Sequence, residues 1–250
     1  SRGLGDVYKR QLQGAAVSQD SSSKGIDWSK NTPTTLLTSP LFHVSGLSAG
    51  AVTSLFAGST TLLYDGRFLA NRVIELIQKY NVTSWGGAVP TALKRVLDDA
   101  EAQGLKMMSV LVVGGGGAPM PPELISRTKD VFPNSKHSFG YGYGLTESGA
   151  ITIINWGDNL KNEPASPGQP MPTIQVQLRD EDGELIDKDS IEGEIYVKSP
   201  SVMLGYYNNT LASKDSLTED RWLKTGDWGF NKKSLYYISS RRTDMILRGA

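Results

Sequence analysis

The sequence predicts an α/β fold: a mostly parallel sheet with flanking helices, followed by a β-rich subdomain. Three observations carry this expectation. Short apolar runs alternate with helical patterns from about residue 34, the helical periodicity stops after about Ile151, and strand-like alternation replaces it. A βαβα rhythm of this kind feeds parallel strands through helical crossovers, whereas closely spaced strands pair antiparallel.

Residues 34–39 and 60–64 read as strands, the second ending at the Asp65-Gly66 turn. Between Phe68 and Tyr80, the side chains of Leu69, Val73, Leu76, Ile77 and Tyr80 recur at helical spacing on one face. Residues 82–85 are strand-like. Pro90 suits a first helical turn, where a missing N–H has no partner to lose, and Leu93, Val96, Leu97 and Ala100 form a stripe behind it. Residues 109–113 read as a short buried strand, and Pro121-Pro122 opens a helix carrying Leu124, Ile125, Thr128 and Phe132. Further on, residues 173–179 and 194–198 alternate like strands, Asp182-Gly183 marks a hairpin turn, and residues 236–240 read as a late strand. Residues 155–172, with four prolines and two glycines, are the expected linker.

The resulting division is 12–154 for the α/β subdomain, 155–172 for the linker and 173–240 for the β-rich subdomain. Residues 241–250 read as a hinge leading into a further domain. Residues 1–11 spell the translation of a transposase-based library adapter without a mismatch, so they are set apart as a non-native tail expected to make no core contacts.

Composition narrows the function classes. The 26 basic residues balance 26 acidic ones, which gives no electrostatic reason for a nucleic-acid or anionic-membrane partner. Cysteine is absent, which excludes disulfides and thiolate metal sites and fits a cytoplasmic location. No apolar run approaches the roughly 20 residues that span a bilayer. Two histidines, His43 and His137, do not make a zinc cluster. Oligomeric state is not legible.

Chemistry concentrates in three segments. The stretch Gly142-Tyr143-Gly144-Leu145-Thr146-Glu147-Ser148 is expected to follow a strand ending near Phe139, where open α/β sheets bind ligands. Its Thr offers a hydroxyl donor and its Glu a hard oxygen ligand suited to Mg²⁺. Gly114-Gly115-Gly116-Gly117-Ala118-Pro119 closes another expected strand; it lacks the Gly-Lys-Ser/Thr of a P-loop and fails the dinucleotide spacing. Thr225-Gly226-Asp227 places a carboxylate where it can accept from two ribose hydroxyls. Each segment alone is an ordinary turn.

In order, the pieces PLFHVSGL from Pro40, GGGGAP from Gly114, GYGLTES from Gly142, GEIYVKSPSVMLGYYNN from Gly193, WLKTGD from Trp222 and RRTDMILRGA from Arg241 resemble the adenylate-forming superfamily. That superfamily comprises acyl-CoA synthetases, luciferases and peptide-synthetase adenylation domains. The resemblance covers residues 33–250 and implies part of the N-terminal domain of such an enzyme, using ATP, Mg²⁺ and coenzyme A on a small carboxylate, most like bacterial fatty-acyl ligases. It implies that Tyr143 stacks on adenine, with Gly115, Gly116 and Gly117 lining the other side, and that Ala118, Gly142 and Gly144 belong to the same nucleotide site. Thr146 would bond the α-phosphate, Glu147 would hold Mg²⁺, and Asp227 would bind the ribose with Arg241. His43 matches the family histidine beside the acyl pocket, and His137 matches no family site.

The departures matter as well. The family's Pro-Lys-Gly phosphate loop is expected upstream of Pro40, and a lysine-bearing C-terminal domain after residue 250. The chain is therefore expected to be an internal piece that does not make acyl-CoA by itself. Thr243 stands at the hinge, Ala250 replaces a glycine, and Asn231 and Ser234 replace the Asp and Gly of a hairpin. Within the superfamily an aryl-CoA ligase or a carrier-protein adenylation domain remains open. Outside it stand a non-catalytic nucleotide-binding module and a serine hydrolase, because Gly46-Leu47-Ser48-Ala49-Gly50 matches the G-x-S-x-G elbow. Trp85 with Gly86-Gly87 either borders a pocket or belongs to the core.

Overall fold

A computed structural model describes residues 33–135 and 139–241. The expectations for residues 1–11, for His137 and for Thr243 and Ala250 lie outside these ranges. Among the described residues, no helix is long and apolar enough to cross a membrane.

The first sheet has seven strands in the order β2-β1-β3-β4-β5-β6-β7. β1 (Thr34–Leu37) lies between β2 (Thr60–Leu63) and β3 (Ser84–Ala88), all parallel. β4 (Val112–Gly116) and β5 (Phe139–Leu145) continue the parallel set. β6 (Ala150–Trp156) and β7 (Gln169–Pro170) then add antiparallel. Helices α1 (Ala70–Tyr80), α2 (Pro90–Ala102) and α3 (Pro122–Val131) bury one stripe each against this sheet. Val73, Ile77, Leu93, Val96, Leu97 and Ile125 share a core with Trp85, Val113, Phe132 and Phe139. Each such side chain contributes about 1.5–3 kcal/mol by leaving water. Leu69 and Tyr80, placed on the α1 stripe by spacing, sit at its two ends and are exposed; Ala70 and Ile74 complete the buried face instead. The helix stops where Asn81 turns left-handed and donates its N–H to Ile77 O.

Three strands are shifted from their expected positions. β3 and β4 begin later and run on into glycines, and β5 begins at Phe139 rather than ending there. Glycines between apolar runs read as turns, yet here they are strand residues that admit close neighbours. A Cβ on Gly140 would collide with the Trp156 ring, and one on Gly144 with the Ala150 carbonyl, both on the paired strand β6.

Within residues 155–172, residues 155–162 and 169–170 have regular structure. Asn155 and Trp156 close β6, Gly157–Asn162 forms α4, and Pro170 lies in edge strand β7, where a missing N–H is tolerated. Asn155 Nδ2 donates to Glu163 O at 3.1 Å and to Ser166 O at 2.8 Å. Ser166 Oγ donates in turn to Tyr236 O, and Tyr236 N–H donates to Gly168 O at 2.9 Å. The segment is thus fastened to both sheets.

The second sheet is antiparallel, in the order β12-β11-β10-β8-β9. Its strands are β8 (Gln175–Arg179), β9 (Leu185–Ile186), β10 (Gly193–Lys198), β11 (Leu223–Lys232) and β12 (Leu235–Arg241). Helix α5 (Thr210–Ser216) starts where Asn209 Oδ1 accepts Ala212 N–H at 3.1 Å. α4 and α5 are too short to repeat an apolar stripe, so periodicity does not reveal them. Ile195, Val197, Leu178 and Leu223 pack with Tyr143, Leu145, Ile151 and Ile154 of β5 and β6, so the two sheets share a core at that seam.

Two stability predictions follow from local geometry. The β11–β12 hairpin turns through Lys233 and Ser234, both at positive φ (53° and 65°). This mirror-image turn favours glycine, so Ser234→Gly should raise unfolding free energy by about 0.5–1 kcal/mol in urea titrations. Among the helices of the first sheet, Arg127 Nη2 lies 2.7 Å from both Asp98 Oδ1 and Glu101 Oε2, tying α3 to α2. Lys94 and Arg127 hold the Asp98 carboxyl below its ordinary value, and Arg127 does the same for Glu101. Folded-state values below the unfolded ones give stability that is present at neutral pH and lost on acidification. Arg127→Met should therefore lower the melting temperature at about pH 7 and shrink the difference between about pH 7 and pH 3.

Candidate functional site

β4 and β5 are adjacent and parallel, so their carboxyl ends open on the same edge of the sheet, the place where such sheets bind ligands. Gly115 pairs with Tyr141 and Gly116 with Gly142. The chain leaves β4 at Gly117, whose φ of 80° is a conformation that L side chains rarely adopt, and passes through Ala118 towards α3. β5 continues beyond β4 through Tyr143 and Gly144 into a tight turn, Thr146–Ser148.

Ser148 builds that turn from inside. Its buried Oγ lies 2.8 Å from Leu145 O and 3.1 Å from Ala150 O, and it accepts Leu145 N–H at 3.2 Å. The outer carbonyls are taken by the chain between β10 and α5. Ser201 Oγ donates to Ser148 O at 2.8 Å, and Met203 N–H donates to Glu147 O at 2.8 Å. Thr146 is left exposed and Glu147 half-buried, with Tyr206 Oη donating to Glu147 Oε1 at 2.9 Å.

The second sheet supplies Asp227 from β11. Thr225, buried, donates its hydroxyl to Ile195 O at 2.8 Å and accepts Asp227 N–H at 3.1 Å. Gly226 N–H reaches Glu194 Oε1 at 3.0 Å. Asp227 is thereby held at the seam, and Tyr143 Oη donates to its Oδ2 at 2.6 Å. An O–H to carboxylate bond of this length is charge-assisted and stronger than a neutral one. The backbone of Arg241 pairs with Asp227 across the β11–β12 ladder.

The structure therefore brings Tyr143, Thr146, Glu147 and Asp227 to one seam, beside the strand end that carries Gly115, Gly116, Gly117 and Ala118. Gly142 and Gly144 sit within β5 rather than in a turn. His43 is exposed and caps a helical run, accepting Ser45 N–H at 3.2 Å, with Nδ1 2.8 Å from Ser45 Oγ. Ser48 lies inside that run, in the segment Leu47–Val52, and not at a strand-to-helix elbow, so the hydrolase geometry is absent. Trp85 is fully buried against Phe132 with its indole N–H on Thr38 Oγ1 at 3.1 Å, which places it in the core. Sequence reading passed over Ser148, Ser201 and Tyr206. All three lie inside quoted motifs without an assigned role.

A cleft of about 480 Å³ opens on the second sheet, lined by Asp180, Glu194, Lys224, Gly226 and Trp228 among others, the last two being the chain neighbours of Asp227. Among the described residues no group of three His, Cys, Asp or Glu side chains stands ready to hold a metal. The donors at the seam still fit Mg²⁺: one carboxylate beside one hydroxyl suits an ion that keeps waters and takes further oxygens from phosphates.

Comparisons with known proteins agree with this geometry. A solved o-succinylbenzoate coenzyme A synthetase from Bacillus subtilis, in complex with ATP and magnesium ion, superposes with a TM-score of 0.79 at 29% identity, over 98% of this chain and 47% of that one. The fold is accordingly that of an adenylate-forming enzyme. The chain belongs to the AMP-binding enzyme family, whose pattern matches residues 10–207. Among curated relatives, 4-coumarate-CoA ligase 1 of Narcissus pseudonarcissus is 31% identical over 76% of this chain and 35% of its own length. A long-chain-fatty-acid–CoA ligase of Bacillus subtilis is 32% identical over 84% of this chain and 36% of its own length. The chain thus spans about a third of the curated relatives it matches.

Ser148→Ala should expose the dependence of the turn on its internal hydroxyl. Leaving Leu145 N–H without that acceptor costs about 1–3 kcal/mol. The expected result is a loss of that size in denaturant titrations; an unchanged midpoint would mean that the turn holds itself.

Proposed function

We propose that this chain forms the nucleotide-binding part of an AMP-forming acid–thiol ligase, which joins a fatty acid to coenzyme A. The observation that carries the reading is the Tyr143–Asp227 contact beside the Thr146–Ser148 turn, one aromatic ring and one carboxylate set at the distance of a single hydrogen bond. In this reading the Tyr143 ring stacks on adenine and Gly115, Gly116, Gly117 and Ala118 line the opposite side. Asp227 accepts from the ribose hydroxyls, and Arg241 adds its planar fork of donors. Thr146 donates to the α-phosphate, and Glu147 would hold Mg²⁺. When bound, that ion neutralises phosphate charge.

The chemistry needs no protein nucleophile. A carboxylate oxygen of the substrate attacks the α-phosphorus of ATP, and the bond to pyrophosphate breaks. The thiol then attacks the acyl carbon of the adenylate and AMP departs. The residues of this chain act by holding reactants in line and by donating hydrogen bonds where charge builds up. His43, exposed on its helical run, is proposed to border the acyl group. Relatives are named for coumarate, long-chain fatty acids and o-succinylbenzoate, so an aryl acid is the second reading of the substrate.

The test uses the complete reading frame that contains this chain, assayed for ATP–pyrophosphate exchange over fatty and aryl acids. Exchange with one acid class is expected. Asp227→Ala should raise the apparent ATP requirement at least about tenfold, because hydrogen bonds to a charged group contribute about 1.5–3 kcal/mol each. Unchanged ATP dependence would remove Asp227 from the site, and exchange with no acid would remove the function.

A further inference from the structure

We infer that Tyr206 is a positioning residue for Glu147, orienting its carboxylate for a divalent cation that arrives with the nucleotide phosphates. The inference rests on the nucleotide-site reading above and adds a residue that reading does not use. Tyr206 Oη donates to Glu147 Oε1 at 2.9 Å across 59 residues of chain. A carboxylate has about four lone-pair sites, and one phenol takes one of them. A phenol is also neutral, so it aims the carboxylate without cancelling the charge that attracts a cation, as a lysine or arginine would.

The tyrosine is itself held. Its N–H donates to Ser213 Oγ at 2.8 Å, and that hydroxyl donates to Asn209 O at 2.7 Å. Upstream, Arg221 donates to Met203 O at 2.6 Å and to Leu204 O at 3.2 Å. Met203 N–H in turn holds the Glu147 carbonyl at 2.8 Å. Backbone and side chain of Glu147 are therefore gripped by the same loop, Met203 on one and Tyr206 on the other. Outer partners of this kind typically change metal affinity about 10–100-fold when removed.

The probe is Mn²⁺, whose free ion gives an electron paramagnetic resonance signal that falls on binding, titrated into the full-length protein with ATP. Variants are Tyr206→Phe, Glu147→Gln and the pair. Tyr206→Phe should weaken Mn²⁺ binding about tenfold while leaving ATP affinity without metal and the melting temperature unchanged. In the Glu147→Gln background it should add nothing, because the hydroxyl acts through that carboxylate. Unchanged Mn²⁺ affinity in Tyr206→Phe, with or without a lower melting temperature, would make Tyr206 a structural latch and overturn the inference. An equal shift in both backgrounds would overturn it too. If Glu147→Gln itself leaves Mn²⁺ binding intact, the metal role of Glu147 falls and takes the inference with it; if only Tyr206→Phe is silent, the site reading stands alone.

Discussion

The hydrogen bond from Tyr143 to Asp227 spans the seam between two sheets, and the rest of the site depends on that seam being closed. Tyr143 comes from the parallel sheet and Asp227 from the antiparallel one, 84 residues later. Neither can be placed by its own strand alone. What brings them together is the shared core of Leu145, Ile151 and Ile154 with Ile195, Val197 and Leu223, which is apolar and therefore non-directional. The polar contacts across it supply the direction: Ser201 on the Ser148 carbonyl, Met203 on the Glu147 carbonyl, Tyr206 on the Glu147 carboxylate. Burial presses the sheets together, and hydrogen bonds fix their register.

This division of labour explains why so much of the site lies in short, tight segments. The Thr146–Ser148 turn is braced from within by one hydroxyl and from without by a loop of the other sheet. Thr225 braces Asp227 in the same way, by bonding Ile195 on one side and the Asp227 backbone on the other. A carboxylate held by its neighbours needs no rearrangement when a ligand arrives, which is the condition under which such groups contribute most. Distortion shows in the backbone at Ala150, whose φ is 143°, two residues beyond Ser148.

The helices were legible because Leu93, Val96, Leu97 and Ala100, or Leu124, Ile125 and Thr128, repeat at a helical period that only packing explains. The strands were less so. Gly86, Gly114 and Gly140 carry no side chain to alternate, so the glycine-rich parts of β3, β4 and β5 look like turns in the sequence, although at Gly140 the Trp156 ring takes the space a Cβ would need. The candidate site residues stood out through motif resemblance rather than periodicity. Their mutual contacts were invisible, since the Tyr143–Asp227 and Tyr206–Glu147 pairs join residues whose separation follows from the topology of two sheets. The prolines of residues 155–172 suggested a linker for a sound reason, the loss of N–H donors, but Pro170 serves at a sheet edge where that donor is not needed.

Every role given to these side chains depends on where an adenylate binds. The most direct test is a crystal structure of the full-length protein with AMP and Mg²⁺. The account predicts adenine against the Tyr143 ring and ribose hydroxyls within about 3 Å of the Asp227 carboxylate. Nucleotide seated instead in the cleft lined by Asp180, Glu194 and Lys224, with Tyr143 and Asp227 still bonded only to each other and to protein, would contradict it.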